Sequence, residues 1–559
     1  MLNKKNTKKQ EKGENERKKE FFTDSGIPVK TVYTPLNLEE IKFDYLEHLG
    51  FPGQYPFTRG REPLMYRRKF WVRSQFSGFG DPQDANRGYK YILEHGQSGF
   101  SIALDLPTQM GHDADHKLAH GEIGKTGVSI SSLRDMEDLL NGIPWEKVEE
   151  LSSDAKIISV IITAMYICLA EKQGFSPNKI RVRVQTDGLK DFIATGNYIF
   201  PPKDSLRIIT DLIEYFTKNL PNWVPITVCG YHIREAGANA VQEVAFTLSN
   251  AIAYIESLLA RGLNVDEFAP KFNLLMGSHM DFAEEIAKLR ATKRLWAKIL
   301  RERFGANDQR SCAIRMVCYT AGSPLTIQQP LNNVMRVTLE ALAAVLSGVD
   351  ELFLSSYDEA YCLPSEEAMR VAMMTQQIIA FETGITNTID PVGGSYYVET
   401  LTSNIEKEAL EYIKTIDEMG GSIKAIENGY FKKEIAKSAY KRQMQIKNKE
   451  KIIVGLNEYA MEEEEEMVKV FGVNPEVEKI QMQKLEKLRR ERNNDSVKES
   501  LKKLKEVAKS NDNLYMAVLE AVRSYATLGE ICDVLREVFG HYLEGPSYSQ
   551  IKSRNYFFK

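Results

Sequence analysis

Between about residues 95 and 400, short apolar, β-branched runs recur at 100–104, 128–130, 180–184, 226–229, 272–276, 313–318 and 352–354. Longer amphipathic stretches separate them, such as 243–259, 281–300 and 331–346. Strand runs alternating with helical runs predict parallel β/α units. A weaker run at 148–152 supplies an eighth strand. Eight such units over roughly 300 residues predict an α/β fold, a (β/α)8 TIM barrel. An open doubly wound sheet is the alternative. No GxGxxG follows any of the runs, which removes the dinucleotide-binding version of that alternative.

After residue 400 the strand pattern stops, and the chain reads as charged and helical. Leu501, Leu504, Val507 and Ala508 mark one apolar stripe, and Leu519, Val522 and Leu528 another. Such a layer must pack on the barrel or on a partner, and its stripes make it the expected docking surface for one. The acidic run 462–466 reads as a solvated face rather than a metal site. At the other end, residues 1–20 hold seven Lys, one Arg and four Glu with almost nothing apolar, and read as a disordered tail.

Composition narrows the function class. Hydrophobic residues make up 43% of the 559, enough for a sizeable core. The 73 basic and 77 acidic residues leave a net charge of −4, so no global basic excess points to nucleic acid. No apolar stretch approaches the ~18 residues of a membrane span. The N-terminus has no apolar h-region, so it is not read as a secretory signal. The six cysteines are scattered with no CxxC, as expected of free thiols in a reducing cytoplasm.

Candidate chemistry sits where strands end. Gly124-Lys125-Thr126 looks like the end of a P-loop, but Ala119 occupies the first glycine position and the apolar run 128–130 follows instead of a helix. His112-Asp113-Ala114-Asp115-His116 with His120 offers metal-ligand types, yet Gly111 and Gly121 bracket it, which favours a hydrogen-bonded loop. Cys229-Gly230-Tyr231-His232-Ile233-Arg234-Glu235 ends a strand, at the barrel rim where catalytic groups gather. A neutral His232 there can donate to a substrate carbonyl, and it can equally be a satisfied structural histidine. Asp105, Gln185-Thr186-Asp187 and Tyr357-Asp358-Glu359 end other strands. Polar groups at several strand ends converge on one mouth, which predicts a small-molecule site.

Eight strings carry a more specific signal together than any does alone. They are YPFTRG (55–60), MYRRKFWVRSQFSGFG (65–80), DLPTQMGHDADH (105–116), YIFPP (198–202), GYHIREAGA (230–238), FAPKF (268–272), SYDEAYCLP (356–364) and IDPVGGSYYVE (389–399). At these strings the chain resembles the large subunit of adenosylcobalamin-dependent acyl-CoA mutases, the methylmalonyl-CoA mutase family, from about Gly26 to Tyr542. The resemblance implies a barrel whose core forms a tube for the pantetheine arm of coenzyme A, with a helical extension behind it. It divides the chain into the tail 1–20, an N-terminal arm with subunit contacts at 21–94, an acyl-CoA-binding barrel at 95–400 and the extension 401–559. Single-chain members continue into a cobalamin-binding domain with a DxHxxG motif. None occurs in this sequence, so that domain is expected on another polypeptide.

The resemblance also implies site roles. His232 holds the thioester carbonyl, with Gln185 beside it. Phe76 stands where methylmalonyl-CoA enzymes have a Tyr packing on the substrate. Thr195 stands where they have an Arg clamping the second carboxylate, and one hydroxyl cannot replace a guanidinium fork. Lys69, Met65, Lys271 and Asn273 match substrate and coenzyme A contacts. Glu235 and Glu359 match positions near the adenosyl ribose and cobalamin; Leu106, Thr126 and Gly322 match positions facing the corrin. No metal ligand is expected from this chain. Phe76 resembles isobutyryl-CoA mutases, although those carry Gln at the position of Thr195. Enzymes acting on 2-hydroxyisobutyryl-CoA have Asp where this chain has Ala103. Arg183, Thr186, Tyr319, Ser355 and the stretch 152–154 also depart from the usual lining.

The expected function is therefore that of an isomerase. It would carry out the adenosylcobalamin-dependent radical rearrangement of a short branched acyl-CoA, of isobutyryl-CoA/butyryl-CoA type. Methylmalonyl-CoA is the alternative substrate. A catalytically weakened acyl-CoA-binding barrel and a metal-dependent barrel lyase are the alternatives in other classes. Expected partners are a small cobalamin-binding subunit in a hetero-oligomer and, as the resemblance also allows, a G-protein chaperone. Nucleic acid and membrane are not expected.

Overall fold

The computed structural model describes residues 16–74, 76–94, 99–145, 148, 150–362, 364–461 and 476–542. Residues 1–15 of the expected tail and the acidic run 462–466 lie outside them.

Among the described residues nine short strands build the core: β1 Val72–Ser74, β2 Phe76–Ser77, β3 Gly99–Ile102, β4 Glu150–Ser153, β5 Val182–Val184, β6 Ile226–Cys229, β7 Phe272–Ser278, β8 Arg315–Thr320 and β9 Glu351–Phe353. Every ladder between them is parallel. One sheet runs β2-β3-β4-β5 and the other β1-β9-β8-β7-β6. β1 and β2 flank position 75 and act as one strand joining the two sheets. On the far side Val224 N donates to Val182 O at 2.8 Å and Val184 N to Val224 O at 3.3 Å. These bonds tie β5 to the residue leading into β6 and close a ring of eight strand positions. An outer helix follows each position: Pro82–Glu94, Leu133–Leu139, Ser159–Lys172, Pro202–Asn219, Ala240–Leu259, Phe282–Lys298, Asn332–Leu346 and Glu366–Phe381. Strands covered on both faces need side chains that bury in both directions, and all seven residues of β7 are buried. The fold is the expected (β/α)8 barrel.

Two expectations about elements change. The run 128–130 is not a strand: Val128 makes isolated parallel bridges to Gly80 and Leu104 and pairing stops there. The barrel wall at that point is supplied instead by β1 and β2, within 21–94. That segment is more than an arm, because it contributes both a strand and the helix Pro82–Glu94. Its earlier part does lie along the outside, where Asp24 N and Ser25 N donate to Asp281 and Glu284.

The extension begins with helix Tyr396–Glu418, which packs on Ala240–Leu259 and Phe282–Lys298. Four later helices, Val477–Glu491, Asn494–Lys509, Tyr515–Arg523 and Leu528–Phe539, return to the β3–β5 side. Helix Ser159–Lys172 is buried all round from Ser159 to Ala170, as a helix must be when it is covered on two sides. Its second cover is Tyr515–Arg523, where Tyr515 Oη bonds Thr163 Oγ1 at 3.0 Å. Leu504, Ala508, Leu519, Val522 and Leu528 are all buried. Most of the stripe residues are thus covered within this chain, with Leu501 and Val507 staying partly buried.

Candidate active site

A cavity of about 330 Å³ opens inside the C-terminal mouth of the barrel. Its polar lining comes from residues at or just beyond strand ends: Ser153 and Asp154 from β4, Gln185 from β5, His232 after β6, Ser356 and Glu359 after β9. Tyr231, Leu275, Tyr319 and Phe353 form apolar walls. Barrel topology makes this convergence, since every strand delivers its C-terminal residue to the same rim.

His232 sits in the short helix Tyr231–Glu235 and is 24% exposed as it lines the cavity. Lys190 Nζ lies 3.2 Å and Cys229 Sγ 3.1 Å from its Nδ1, while Nε2 stands 3.9 Å from Asp154 Oδ2. An ammonium can only donate, so Lys190 presents a proton to Nδ1, while burial keeps the Cys229 thiol protonated, its pKa pushed up to about 12. The ring proton therefore belongs on Nε2, facing Asp154. Burial, reinforced by the charges of Lys190 and Lys156, holds the imidazole well below its ordinary pKa, with Asp154 opposing. His232 is thus a neutral N–H donor. Lys190 is itself fully buried and paired with Asp191 at 3.1 Å.

Several buried polar atoms here have no hydrogen-bond partner in the protein: Asp154 Oδ1, both amide atoms of Gln185 and Ser356 Oγ. Buried polar groups are nearly always satisfied, so these atoms make the cavity a candidate site for a polar ligand. Lys156 and Lys190 are site residues that sequence reasoning missed, while Asp154 was singled out only as part of the departing stretch 152–154; the signal of the two lysines was position alone, past the ends of β4 and β5. Lys156 reaches Gln109 Oε1 at 2.6 Å from a left-handed backbone, φ 49°.

At the outer edge of the mouth Glu235 accepts from Ser323 N at 2.9 Å and Ser323 Oγ at 3.1 Å. Burial raises the pKa of Glu359 to about 7, with the Glu235 charge adding to the effect. A Cβ on Gly322 would stand 2.7 Å from Glu359 Oε1, so a larger residue there would push that carboxylate aside. Thr126 lines the cavity as well, and Leu106 opens the short rim helix Leu106–Gln109 after β3.

A second cavity of about 300 Å³ lies at the opposite end of the barrel. Met65 and Lys69 line it with Arg61, Arg68, Arg181 and Arg315, alongside Glu62 and Asp350, and three of these arginines are paired: Arg61 with Asp350 at 2.7 Å, Arg181 with Glu150 at 3.0 Å and Arg315 with Glu150 at 2.9 Å. Between the two cavities lies a closed ring of charge. Arg183 bonds Glu150 at 2.8 Å and Glu351 at 2.9 Å; Arg315 bonds Glu150 at 2.9 Å and Glu351 at 3.0 Å. Ser74 Oγ adds a bond to Glu351 at 2.7 Å. Arg183 lines the inner cavity and Arg315 the outer one. The lumen expected to be a tube is crossed by this ring, because four charged side chains from β4, β5, β8 and β9 meet on the barrel axis.

The other expected site residues separate. Asn273 lies buried beside the ring, 3.3 Å from Arg315 Nη1 with its amide in the orientation that satisfies both groups. Lys271 is not brought to either cavity: its Nζ donates to Phe216 O at 3.0 Å and Thr217 O at 3.2 Å, near the end of helix Pro202–Asn219. Thr195 Oγ1 donates to Asp191 at 2.6 Å and does not line the cavity. Phe76 lies in β2, but its side chain is outside the described part. The segment 112–121 is a succession of turns. Its Asp113 accepts from Thr527 Oγ1 at 2.5 Å, Gly529 N at 2.7 Å and Arg489 at 2.8 Å, fastening the extension to the rim.

The fold and site define a barrel with a polar cavity inside its C-terminal mouth and an arginine-rich cavity at the other end. Residues 22–541 match the methylmalonyl-CoA mutase family. The chain is 42% identical over 534 residues to the 2-hydroxyisobutanoyl-CoA mutase large subunit of Aquincola tertiaricarbonis, covering 95% of this chain and 94% of that one. It is 40% identical over 523 residues to the methylmalonyl-CoA mutase of Escherichia coli, covering 93% and 72% respectively. The human mitochondrial methylmalonyl-CoA mutase is 39% identical over 538 residues, with 96% and 70% covered. The chain belongs to the methylmalonyl-CoA mutase family.

Proposed function

We propose that this chain is the substrate-binding, catalytic subunit of an acyl-CoA mutase that rearranges a short branched acyl group without a second carboxylate, of isobutyryl-CoA type. The observation that carries this reading is the neutral Nε2–H of His232 in an enclosed cavity, beside the unsatisfied amide of Gln185. A preorganised neutral donor can hold a thioester carbonyl and follow the charge that builds on its oxygen. The absence of a guanidinium at Thr195, whose hydroxyl is committed to Asp191, argues against methylmalonyl-CoA.

The family uses adenosylcobalamin. The mouth suits its sugar: Glu235 and the easily protonated Glu359 can accept from and donate to hydroxyls, and Gly322 leaves room beside them. Leu106 and Thr126 would face the ring system. When bound, the cofactor supplies the one-electron chemistry of the rearrangement. The protein's own part is to orient the thioester through His232 and Gln185, to exclude water, and to anchor phosphates at the cationic cavity. A separate cobalamin-binding subunit is part of the proposal, supported by the large-subunit name of the Aquincola relative. Incubating the chain with such a subunit, adenosylcobalamin and isobutyryl-CoA should yield butyryl-CoA. Faster turnover of methylmalonyl-CoA would overturn the substrate choice.

The ionic ring favours a second reading, a barrel that binds coenzyme A derivatives without turning them over. If the ring stays shut, coenzyme A and isobutyryl-CoA should bind equally well, because the acyl group never reaches His232.

A further inference from the structure

A third, smaller cavity of about 40 Å³ lies where three parts of the chain meet. The N-terminal arm reaches it at Asp24, the segment after β6 at Arg234, and the extension at Lys441, Arg442 and Lys451. Among the described residues its lining thus holds four cations and one carboxylate. Lys451 is paired with Asp24. Arg234 Nη2 donates to Glu285 at 3.1 Å, and its Nε stands 3.9 Å from Glu243. Lys288 shares those two glutamates, so behind the cavity wall two cations balance two carboxylates.

Lys441 and Arg442 are left over. Among the described residues neither makes a hydrogen bond or an ion pair. Lys441 is exposed, but Arg442 is half-buried. Burial and the Arg234 charge lower the pKa of Arg442, and Asp24, Glu235 and Glu285 do not make up the difference. A guanidinium withdrawn from water ordinarily faces a carboxylate, because an uncompensated charge there is costly. Arg234 adds an Nε that makes no hydrogen bond, in a residue only 3% exposed. Asn239, the N-cap of the 20-residue helix Ala240–Leu259, lines the cavity too, so the positive end of that helix borders it.

We propose that this cavity is a binding site for a phosphate-sized oxyanion, held by Arg442 and Lys441 against Arg234 and the helix start. One such anion supplies the counter-charge that the protein leaves out. A single water needs about 10–15 Å³ of such space, so the cavity admits a group about as large as a few waters. A guanidinium fork matches two phosphate oxygens at once, which favours phosphate over a spherical ion. The ligand is inorganic phosphate, or the terminal phosphate of a molecule that reaches in past the exposed Lys441. Bound there, it joins the N-terminal arm, the barrel and the extension, directly beside the short helix that carries His232 and Glu235. The inference stands apart from the mutase reading: none of these cations lines the cavity at the mouth or the arginine-rich one.

Isothermal titration of the full chain with sodium phosphate at constant ionic strength tests this, and needs neither coenzyme A nor cobalamin. The wild-type chain should bind phosphate, with chloride a far weaker competitor. Arg442→Gln should weaken that binding at least about tenfold, the loss expected of one charge-assisted pair. Lys441→Gln should weaken it in the same direction, and as a change at an exposed residue it keeps the test alive if the first variant misfolds; circular dichroism checks both. Ribose 5-phosphate separates the two sources: binding at least as tight as that of free phosphate assigns the site to a phosphate monoester, and exclusion assigns it to the free ion. A wild-type chain that binds no phosphate at millimolar concentration would overturn the proposal. So would folded variants that both bind phosphate as the wild type does.

Discussion

Replacing His232 by Ala is the sharpest perturbation of the proposed chemistry. The structure fixes what is lost. Lys190 and Cys229 occupy Nδ1, so the ring offers one proton, on Nε2, to the cavity. Burial and two lysines keep the ring neutral, so the loss is that of one preorganised neutral donor. Removing such a donor commonly costs about 10²–10³ in rate, or roughly 2.7–4 kcal/mol of transition-state stabilisation. Coenzyme A affinity should change by less than about threefold, a difference below 1 kcal/mol, because the cationic cavity lies beyond the ionic ring. The assay is product formation from isobutyryl-CoA by the reconstituted enzyme, paired with a coenzyme A titration. His232→Gln, which restores an N–H at similar reach, should recover part of the rate. A His232→Ala enzyme with near-native turnover would refute the donor role, and the histidine would then be structural.

Lys190→Met should release the tautomer: nitrogen-15 shifts of His232 should move from a pure Nε2–H form to a mixture, and its pKa should rise because a repelling charge is gone; an unchanged spectrum would contradict the assignment. Glu351→Gln breaks the ring and leaves Arg183 and Arg315 sharing Glu150, so urea unfolding should show a loss of about 3–5 kcal/mol. Asp105 is raised to about 6 by burial, against bonds from Thr108 N and Gly124 N. Its native form binds a proton that the unfolded chain releases near the ordinary aspartate value of 3.8. Its contribution is therefore fully present below that value and lost as pH rises through about 6, about 3 kcal/mol in all. Unfolding of wild type and Asp105→Asn from pH 4 to 7 should show the wild type losing stability relative to the variant, and parallel curves would refute this.

The barrel was legible where strands are apolar on both faces, as in β6 and β7. Its first wall was not. β1 and β2 carry Arg73, Ser74 and Ser77, and Ser74 earns its burial only through Glu351, which is 277 positions away. The run 128–130 has strand propensity but pairs at a single residue, a tertiary limit that propensity cannot encode. Rim residues such as Gln185 and His232 were readable because topology alone sends strand ends to one mouth. Lys156 and Lys190 were not, since charges beyond a strand ordinarily face water. The ionic ring was invisible for the same reason as β1: Glu150, Arg183, Arg315 and Glu351 become partners only when the barrel closes. The glycine at 322 drew its meaning from the resemblance, and the structure supplied its neighbours.

The measurement that bears most directly on the function is carbon-skeleton exchange in a defined mixture: this chain, a small cobalamin-binding subunit, adenosylcobalamin and carbon-13-labelled isobutyryl-CoA, followed by NMR. The account predicts label appearing in the straight chain of butyryl-CoA, in amounts that depend on all four components. Label that stays in the branched position, while the same mixture binds the thioester, would contradict it and leave a binding barrel in its place.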